Sequence, residues 1–342
     1  MVEWGCSHAL DARPPSATIR IQRMAVRMNQ PYPIIILPPD ASSRVEQVEP
    51  MGTKDKFWFN HADGNLWLFK YNRPGHGDDW SEKIACEIAG ILGLPHAYVE
   101  LATFEGNRGV VSRNFTERGR FPLIHGNELL ANIINPRYPK GQKRKVTEHT
   151  VQSVRHILDG AWITPRVLDD ASAALAKEYA DIAGIVSASD LFAGYLMLDA
   201  LIGNTDRHHE NWAIIQVGRQ YCLAPTFDHA SCLGFNLSDP ERIDRMTPDR
   251  NRSVETFADK ATSKLYLTGA DKPLTPLAAF AEATKDRPTA RRTWIDRLRR
   301  IVDKDFWAIV DRVPTELMSK PARDFAFALL RVNRDRIVRL EH

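Results

Sequence analysis

The stretch Gly203–Asn211, which reads GNTDRHHEN, decides the fold of this 342-residue chain. It follows an apolar segment at Ser189–Ile202, whose length and uncharged run Leu191–Leu198 predict a buried helix. It precedes a strand, a turn and a second strand that ends in Leu223–Asp228, LAPTFD. The order is therefore a buried helix, a polar loop, two strands and a further carboxylate.

Asp206, Asn211 and Asp228 are the side chains of this region that suit phosphoryl transfer. That chemistry needs one carboxylate to accept the proton of the substrate hydroxyl, and an Asn with a second Asp to hold Mg²⁺ on the phosphates. Asp206 and Asn211 have the spacing D-x-x-x-x-N, which is also the spacing in the catalytic loop of protein kinases. This spacing often occurs by chance, so it supports phosphoryl transfer only if other residues of the chain also suit that chemistry.

A hairpin upstream is predicted to carry a lysine. Two apolar runs, KFWF at 56–59 and LWLFK at 66–70, flank the turn sequence HADGN at 61–65. Runs of this kind on either side of a short polar turn are typical of paired antiparallel strands. Lys70 at the end of the second strand could then meet a nucleotide phosphate, and a lysine that protects a sheet edge is the less favoured alternative.

A helix is predicted directly after the hairpin, at Asp78–Gly93, because apolar residues recur there at helical spacing and Gly93 ends the pattern. Glu82 lies about 160° from Ile84 around this helix, so it is not committed to the apolar face. Glu82 is therefore the expected partner of Lys70, and Glu87 is the weaker candidate.

Composition excludes several classes of protein. The 46 Lys and Arg residues nearly balance the 43 Asp and Glu residues, and a net charge of +3 indicates neither a nucleic-acid nor a membrane partner. The longest uncharged apolar stretch, Leu191–Leu198, is too short to span a bilayer. The four cysteines form no CxxC pair, which favours a reducing, cytoplasmic location.

The two halves of the chain differ in pattern. Residues 1–30 show little apolar periodicity and are expected to form a disordered tail. Strand patterns with one inserted helix then dominate at 31–115, whereas helical patterns dominate at 116–342. We therefore predict an α+β protein of two lobes, a β-rich N-lobe and a helical C-lobe.

The segments quoted above resemble the N-x-D-R-H-x-x-N and L-A-P-x-(Y/F)-D motifs of the HipA-like serine/threonine kinases, whose fold is related to that of phosphatidylinositol kinases. The resemblance covers about residues 48–340, and it implies the bilobal protein-kinase-like fold. Toxins of this family carry a small N-terminal subdomain before the phosphate loop. The chain before Gly52 is short, so we expect that subdomain to be missing or rudimentary.

The resemblance also implies a role for each matching residue. Asp206 becomes the catalytic base, His208 a brace of the catalytic loop, and Asn211 and Asp228 the Mg²⁺ ligands. Lys70 becomes the cation on the ATP phosphates, with Glu82 as its partner. The remaining nucleotide-binding residues are the phosphate-covering loop at Gly52, Thr53 and Lys54, and the hinge at 111–115, including Val111 and Arg113.

ATP and Mg²⁺ are the expected cofactors, and a serine or threonine on a bacterial protein is the expected acceptor. Toxins of the family phosphorylate aminoacyl-tRNA synthetases, which makes such a translation enzyme a candidate substrate, and an antitoxin a candidate partner. No direct nucleic-acid or membrane partner is expected. Thr53 is the only hydroxyl residue within the phosphate loop, so we expect weak autophosphorylation, with Thr53 as the site able to switch activity off.

Other interpretations stay open at this point. A lipid kinase would share the site but needs a basic membrane-facing surface, and only the loop Lys140–Lys145 offers one. A pseudokinase scaffold would use the cleft without catalysis. Asp206 could simply cap the turn after the helix. A zinc site at His208 and His209 is disfavoured, because adjacent histidines point in different directions and no third ligand is suitably spaced.

Overall fold

The computed structural model describes residues 30–41, 56–116, 120–159, 182–247 and 251–341. The tail predicted at 1–30 lies outside the described residues except for Gln30, and so do Gly52, Thr53 and Lys54 of the predicted phosphate loop.

A five-stranded sheet forms the first half of the described chain. Its strands are β1 (Ile34–Ile36), β2 (Lys56–Asn60), β3 (Leu66–Tyr71), β4 (Val99–Phe104) and β5 (Asn107–Arg113). The spatial order is β1-β4-β5-β3-β2, with β1 parallel to β4 and every other pair antiparallel. The predicted hairpin is confirmed, since Lys56 pairs with Lys70 and Asn60 with Leu66.

One helix, α1 (Asp78–Leu92), packs against this sheet. It ends at Gly93, whose φ of 70° is left-handed, a conformation that glycine adopts at no steric cost. Cys86 of α1 meets Val99 and Val110 on the near face of the sheet. The far face is covered by a separate cluster that includes Phe69 and Val111.

The second half of the described chain is mostly helical and contains a three-stranded antiparallel sheet. That sheet has the order β6-β7-β8, with β6 at Leu123–His125, β7 at Ala213–Val217 and β8 at Gln220–Leu223. The helices are α2 (Gly126–Leu129, continued by a π-helical turn at Leu130–Ile134), α3 (Val151–Asp159), α4 (Ala188–Ile202), α5 (Asp239–Arg245), α6 (Val254–Lys260), α7 (Pro276–Ala283), α8 (Pro288–Arg299), α9 (Asp303–Asp311) and α10 (Lys320–Val338), with a 3₁₀ turn at Arg339–Glu341.

Helix α4 is the centre of this half, because all of its residues are buried. It packs against α7 and α10, and its first turn is closed by a capping box between Ser187 and Asp190. The buried helix predicted from the sequence is therefore confirmed.

The structure has the α+β architecture that the sequence predicts. The predicted boundary at 115/116 falls between β5 and β6 and stays a prediction. No helix in the described part of the chain combines the length and apolarity needed to cross a membrane.

Candidate active site

Lys70 lies at the centre of the candidate site. Its ammonium group is 2.9 Å from the Glu82 carboxylate of α1 and 3.2 Å from the carboxylate of Asp228. Strand β3 lies between β2 and β5, so Lys70 is not a charge on an edge strand. The structure thus brings together three residues that are far apart in the sequence.

The charges around Lys70 keep it protonated. Burial by itself would lower the pKa of Lys70, but the carboxylates of Asp228 and Glu82 outweigh this effect and hold the pKa above its usual value. Glu82 is buried, whereas the Asp228 side chain is 40% exposed. The exposed side of the cluster is therefore the side that Asp228 occupies.

Glu87, the weaker candidate for the ion pair with Lys70, pairs with a different lysine. Its carboxylate is 2.6 Å from the ammonium group of Lys83, one turn earlier on α1. Lys83 also contacts Glu100 of β4 at 2.9 Å. Glu87 thus belongs to a second ion cluster on the opposite side of the helix, and Glu82 alone faces Lys70.

Helix α1 is held in place by contacts close to Asp228. The Ser81 hydroxyl donates to the carbonyl of Ala230 at 2.6 Å. The buried carboxylate of Asp79 accepts two bonds of 3.0 Å from Arg108 of β5. Because Ser81 and Glu82 are neighbours, these contacts fix the position of Glu82 relative to Asp228.

The Asp206 loop, which we define as Gly203–Asn211, starts where α4 stops. Gly203 has a φ of 65°, and this left-handed conformation turns the chain out of the helix. The backbone of Asp206 is then held on both sides: its N–H donates to the Asn204 side chain at 3.0 Å, and its carbonyl accepts from the Asn211 side chain at 2.7 Å.

The hydrogen bond from Asn211 has a chemical consequence. The amide nitrogen of its side chain is used by the Asp206 carbonyl, which directs the amide oxygen away from the loop backbone. The amide oxygen of Asn211 and the carboxylate of Asp228 are each hard oxygen donors, the type of ligand that Mg²⁺ prefers.

Asp228 has an unusual backbone conformation, with a φ of 59°. Few residues other than glycine adopt this region, and Asp and Asn do so more easily than most. Such conformations cost free energy and concentrate at functional sites. Here the turn follows strand β8 and brings the carboxylate back to Lys70.

Arg207 is the residue of this region that the sequence analysis missed. Its guanidinium is fully buried under the Asp206 loop. It donates two bonds to Asp199 of α4 at 2.7 and 2.8 Å, and one bond of 2.5 Å to the Asn211 carbonyl. It also donates to Thr226 at 3.1 Å. The motif contains this arginine, but its spacing alone does not reveal the partners.

His208 was expected to brace the loop through hydrogen bonds. Its Nδ1 accepts a single bond of 3.2 Å from the backbone N–H of Glu210, while the wider network belongs to Arg207. Burial lowers the pKa of His208 to about 4, so its ring is neutral at physiological pH.

The predicted hinge residues lie within the sheet. Val111 is an interior residue of β5, and its side chain is buried on the face opposite Lys70. Arg113 is exposed at the end of the same strand. The structure therefore does not bring these two side chains to Lys70, and the chain leaves the sheet only after Arg113.

A model of the HipA-like C-terminal domain family matches residues 48–304, which is most of the chain. This protein belongs to the HipA-like C-terminal domain family. The match includes Lys70, Glu82, the Asp206 loop and Asp228, and it also includes the predicted phosphate loop.

One curated protein with sequence similarity is the serine/threonine-protein kinase CtkA of Helicobacter pylori, which is 26% identical over 157 residues. That match covers 45% of this chain and 40% of CtkA, so it spans well under half the length of that relative.

Two solved structures show the fold. The crystal structure of the H. pylori proinflammatory kinase CtkA matches 91% of this chain and 98% of its own, with a TM-score of 0.66 and 20% identity. The Shewanella oneidensis MR-1 HipA toxin–antitoxin complex with HipB and operator DNA matches 97% of this chain and 73% of its own, with a TM-score of 0.54 and 15% identity. The chain thus has the protein-kinase-like fold of these two structures.

Proposed function

We propose that this protein is a kinase that transfers the γ-phosphoryl group of ATP to a serine or threonine hydroxyl of a protein. The observation that carries the proposal is the meeting of Lys70 with Glu82 and Asp228, beside a loop that presents Asp206 and Asn211. Each of these residues has a chemical property that phosphoryl transfer requires.

Asp206 serves as the base in this mechanism. Its carboxylate accepts the proton of the acceptor hydroxyl while the oxygen of that hydroxyl forms a bond to the γ-phosphorus and the bond from phosphorus to the ADP oxygen breaks. The two backbone bonds of Asp206 hold in place the backbone from which its side chain projects. Positioning of this kind reduces the reorganisation that the reaction needs.

Asp228 and Asn211 would hold Mg²⁺, since both offer hard oxygen donors. When bound, the cation neutralises charge on the phosphates. Lys70 donates to the phosphates directly, and Glu82 keeps the ammonium group oriented while Asp228 exchanges its contact with Lys70 for the cation. The greater exposure of Asp228 suits this exchange.

The acceptor class and the partners are inferred from relatives. CtkA is named a serine/threonine-protein kinase, which supports a hydroxyl on a protein as the acceptor. The HipA structure contains HipB, which makes an antitoxin a partner to test. An aminoacyl-tRNA synthetase stays the candidate substrate. Transfer to lipid is the second candidate, because the basic loop Lys140–Lys145 lies beside the Asp206 loop, where Lys143 is 2.5 Å from the carboxylate of Glu210.

Incubation of the protein with labelled ATP and Mg²⁺ tests the proposal, with bacterial extract in one reaction and anionic vesicles in another. We expect label on protein and none on lipid. Asp206→Asn should reduce labelling at least about a hundredfold, whereas Asp271→Asn, the same change at an exposed site, should not reduce it.

Label on lipid alone would make the protein a lipid kinase. Nucleotide binding without any transfer would make it a pseudokinase. Full labelling by a folded Asp206→Asn protein would refute the role of Asp206 as the base.

A further inference from the structure

A buried lysine, Lys83, directly follows Glu82 on helix α1 and has no part in the mechanism above. Its side chain is 2% exposed. The ammonium group is 2.6 Å from the Glu87 carboxylate, 2.9 Å from the Glu100 carboxylate of β4 and 3.0 Å from the Val99 carbonyl. We call Lys83, Glu87 and Glu100 the Lys83 cluster. Separating these groups would leave charges buried and unpaired, so the cluster holds Lys83 in one position.

An aromatic ring covers the Lys83 cluster. It belongs to Tyr32, which is 3% exposed and lies in residues 30–37, a segment that we call the strap. The centre of the ring is 4.8 Å from the Lys83 ammonium group and 4.1 Å from the Arg312 guanidinium, distances at which a cation is attracted to a ring. The Tyr32 hydroxyl has no hydrogen-bond partner in the described part of the chain. The ring, not the hydroxyl, therefore makes the contacts of this side chain.

The strap connects the two halves of the molecule. The N–H of Tyr32 donates to the Arg312 carbonyl at 2.7 Å, and Nε of Arg312 donates to the Gln30 carbonyl at 3.0 Å. Arg312 directly follows α9. Beyond Tyr32 the strap contains β1, which pairs with β4 in the five-stranded sheet. Tyr32 thus lies between an attachment to the helical half and an attachment to the sheet.

The Lys83 cluster affects Glu82 because both residues lie on one rigid helix. Neighbouring residues of an α-helix project about 100° apart, so a rotation of α1 about its axis moves the two side chains together. A rotation that withdraws Glu82 from Lys70 must also move Lys83 away from Glu100 and Tyr32. The contacts of Lys83 therefore oppose the motion that would break the 2.9 Å ion pair of Glu82 with Lys70.

Helix α1 is held from two directions around Glu82. Ser81, the residue before Glu82, donates to the Ala230 carbonyl at 2.6 Å, a contact with the segment after β8. Lys83, the residue after Glu82, is held by β4 and by the strap, which reaches it from Arg312. Loss of the strap contact would leave the Ser81 contact in place, so we expect Glu82 to be misplaced in part of the molecules and not in all of them.

We propose that Tyr32 and Arg312 are positioning residues of the kinase site, which fix the rotation of α1 through Lys83 and thereby keep Glu82 on Lys70. The proposal rests on the proposed function, and it adds a control point outside the cleft. When the strap contact is lost, a smaller fraction of the molecules has Glu82 in place. The apparent affinity for nucleotide falls in proportion to that fraction.

Tyr32→Leu tests the proposal, because it removes the ring and leaves an apolar side chain. The affinity for ATP with Mg²⁺, measured by calorimetry, should fall about fivefold, and kcat in the labelled-ATP assay should fall by at least as much. Tyr32→Phe keeps the ring and should keep both values. Phe280→Leu, the same loss of a ring from the buried face of α7, is the matched control and should leave both values unchanged.

A double-mutant cycle with Glu82→Gln separates positioning from packing. Tyr32→Leu should lower the ATP affinity about fivefold in the wild type, but less than about twofold in the Glu82→Gln protein, where no carboxylate remains to be positioned. The urea midpoint should fall equally in both backgrounds. A purely structural role of Tyr32 would lower the urea midpoint and leave the ATP affinity unchanged.

Arg312→Gln is the milder variant, and it keeps the proposal testable where Tyr32→Leu does not fold. It removes the cation on the Tyr32 ring and the bond to Gln30, and it leaves the ring beside Lys83. The ATP affinity should fall about twofold to threefold, and this loss should also disappear in the Glu82→Gln background.

Wild-type ATP affinity in the folded variants of Tyr32 and Arg312 would overturn this inference and leave the kinase assignment standing. Equal losses of affinity with and without the Glu82 carboxylate would overturn it as well, because the strap would then not act through Glu82. If the wild type bound no ATP, the proposed function would be refuted, and this inference with it.

Discussion

Charged residues lie on two sides of the Asp206 loop, and the two sides differ in how deeply these charges are buried. On the buried side, Arg207 is enclosed and bonded to Asp199, Asn211 and Thr226. On the open side, Lys70 meets a carboxylate that is 40% exposed. Both sides consist of a cation among oxygen acceptors, yet only the open side has a partner that water can reach.

This contrast separates structural from chemical roles. A buried cation whose donors are all matched is costly to disturb, because removing one member leaves its partner charged and desolvated. A cation with an exposed partner can change that partner when a ligand arrives. We therefore expect substitutions on the buried side to affect folding first, and substitutions on the open side to affect turnover first.

Asp206→Asn gives the largest effect. The change removes the proton acceptor with little change of volume, so turnover should fall between about a hundredfold and ten-thousandfold. The denaturation midpoint and the affinity for ATP should stay close to those of the wild type. Labelled-ATP assays and urea unfolding measure these quantities. If the Asp206→Asn protein also lost stability, Asp206 would have a structural role, like the residues on the buried side of the loop.

Arg207→Met should reduce the free energy of unfolding by about 3–5 kcal/mol, because it leaves the Asp199 carboxylate buried and unpaired. Arg207→Lys should restore only part of the loss, since an ammonium group cannot match the two-pronged contact. Arg292→Met, at an exposed site, is the control. Wild-type stability of a folded Arg207→Met protein would show that the buried network is dispensable.

Asp228→Asn should weaken nucleotide binding at least about tenfold when Mg²⁺ is present, and much less when it is absent. Asn is chosen because it tolerates the left-handed backbone of Asp228. Lys70→Met should weaken binding in both conditions, because its contact with phosphate is direct. Calorimetry with and without Mg²⁺ tests both expectations. Equal losses for Asp228→Asn in the two conditions would contradict a role as metal ligand.

The smallest expected effect is on the pH dependence of folding stability, and it concerns the buried side of the Asp206 loop. Burial and the nearby His209 lower the pKa of His149 to about 3. Below about pH 6.5 the unfolded chain binds a proton that the native state excludes, so stability falls as pH falls toward 3.

His149→Gln cannot be protonated, so its stability should decline less steeply, by about 1 kcal/mol per pH unit between about pH 6 and 5. Urea unfolding at a series of pH values measures this slope. His156→Gln, a change at an exposed histidine, should keep the slope of the wild type, and an unchanged slope for His149→Gln would contradict the prediction.

Periodicity and turn chemistry were sufficient to predict the elements that carry the site. The hairpin of β2 and β3, the helix α1 ending at Gly93 and the buried helix α4 all occur where the patterns place them. Glu82 was preferred to Glu87 as the partner of Lys70 from its angle around the helix, and the ion pair is present. These features depend on neighbours in the sequence.

Other features escaped prediction. Val111 and Arg113 were expected at the hinge; the structure places both within β5, and their role at the nucleotide stays a prediction. The network of Arg207 was also missed, since Asp199 and Thr226 approach it only through the packing of α4 and the segment after β8.

The sequence by itself determined the family, the fold class and the residue types suited to phosphoryl transfer, because these depend on local spacing and on a motif. Only the tertiary structure decided that Asp228 also reaches Lys70, and that Arg207 is enclosed by Asp199 and Thr226. Electrostatic pairing depends on distance and burial in space, and residues far apart in the chain acquire those only when the core has packed.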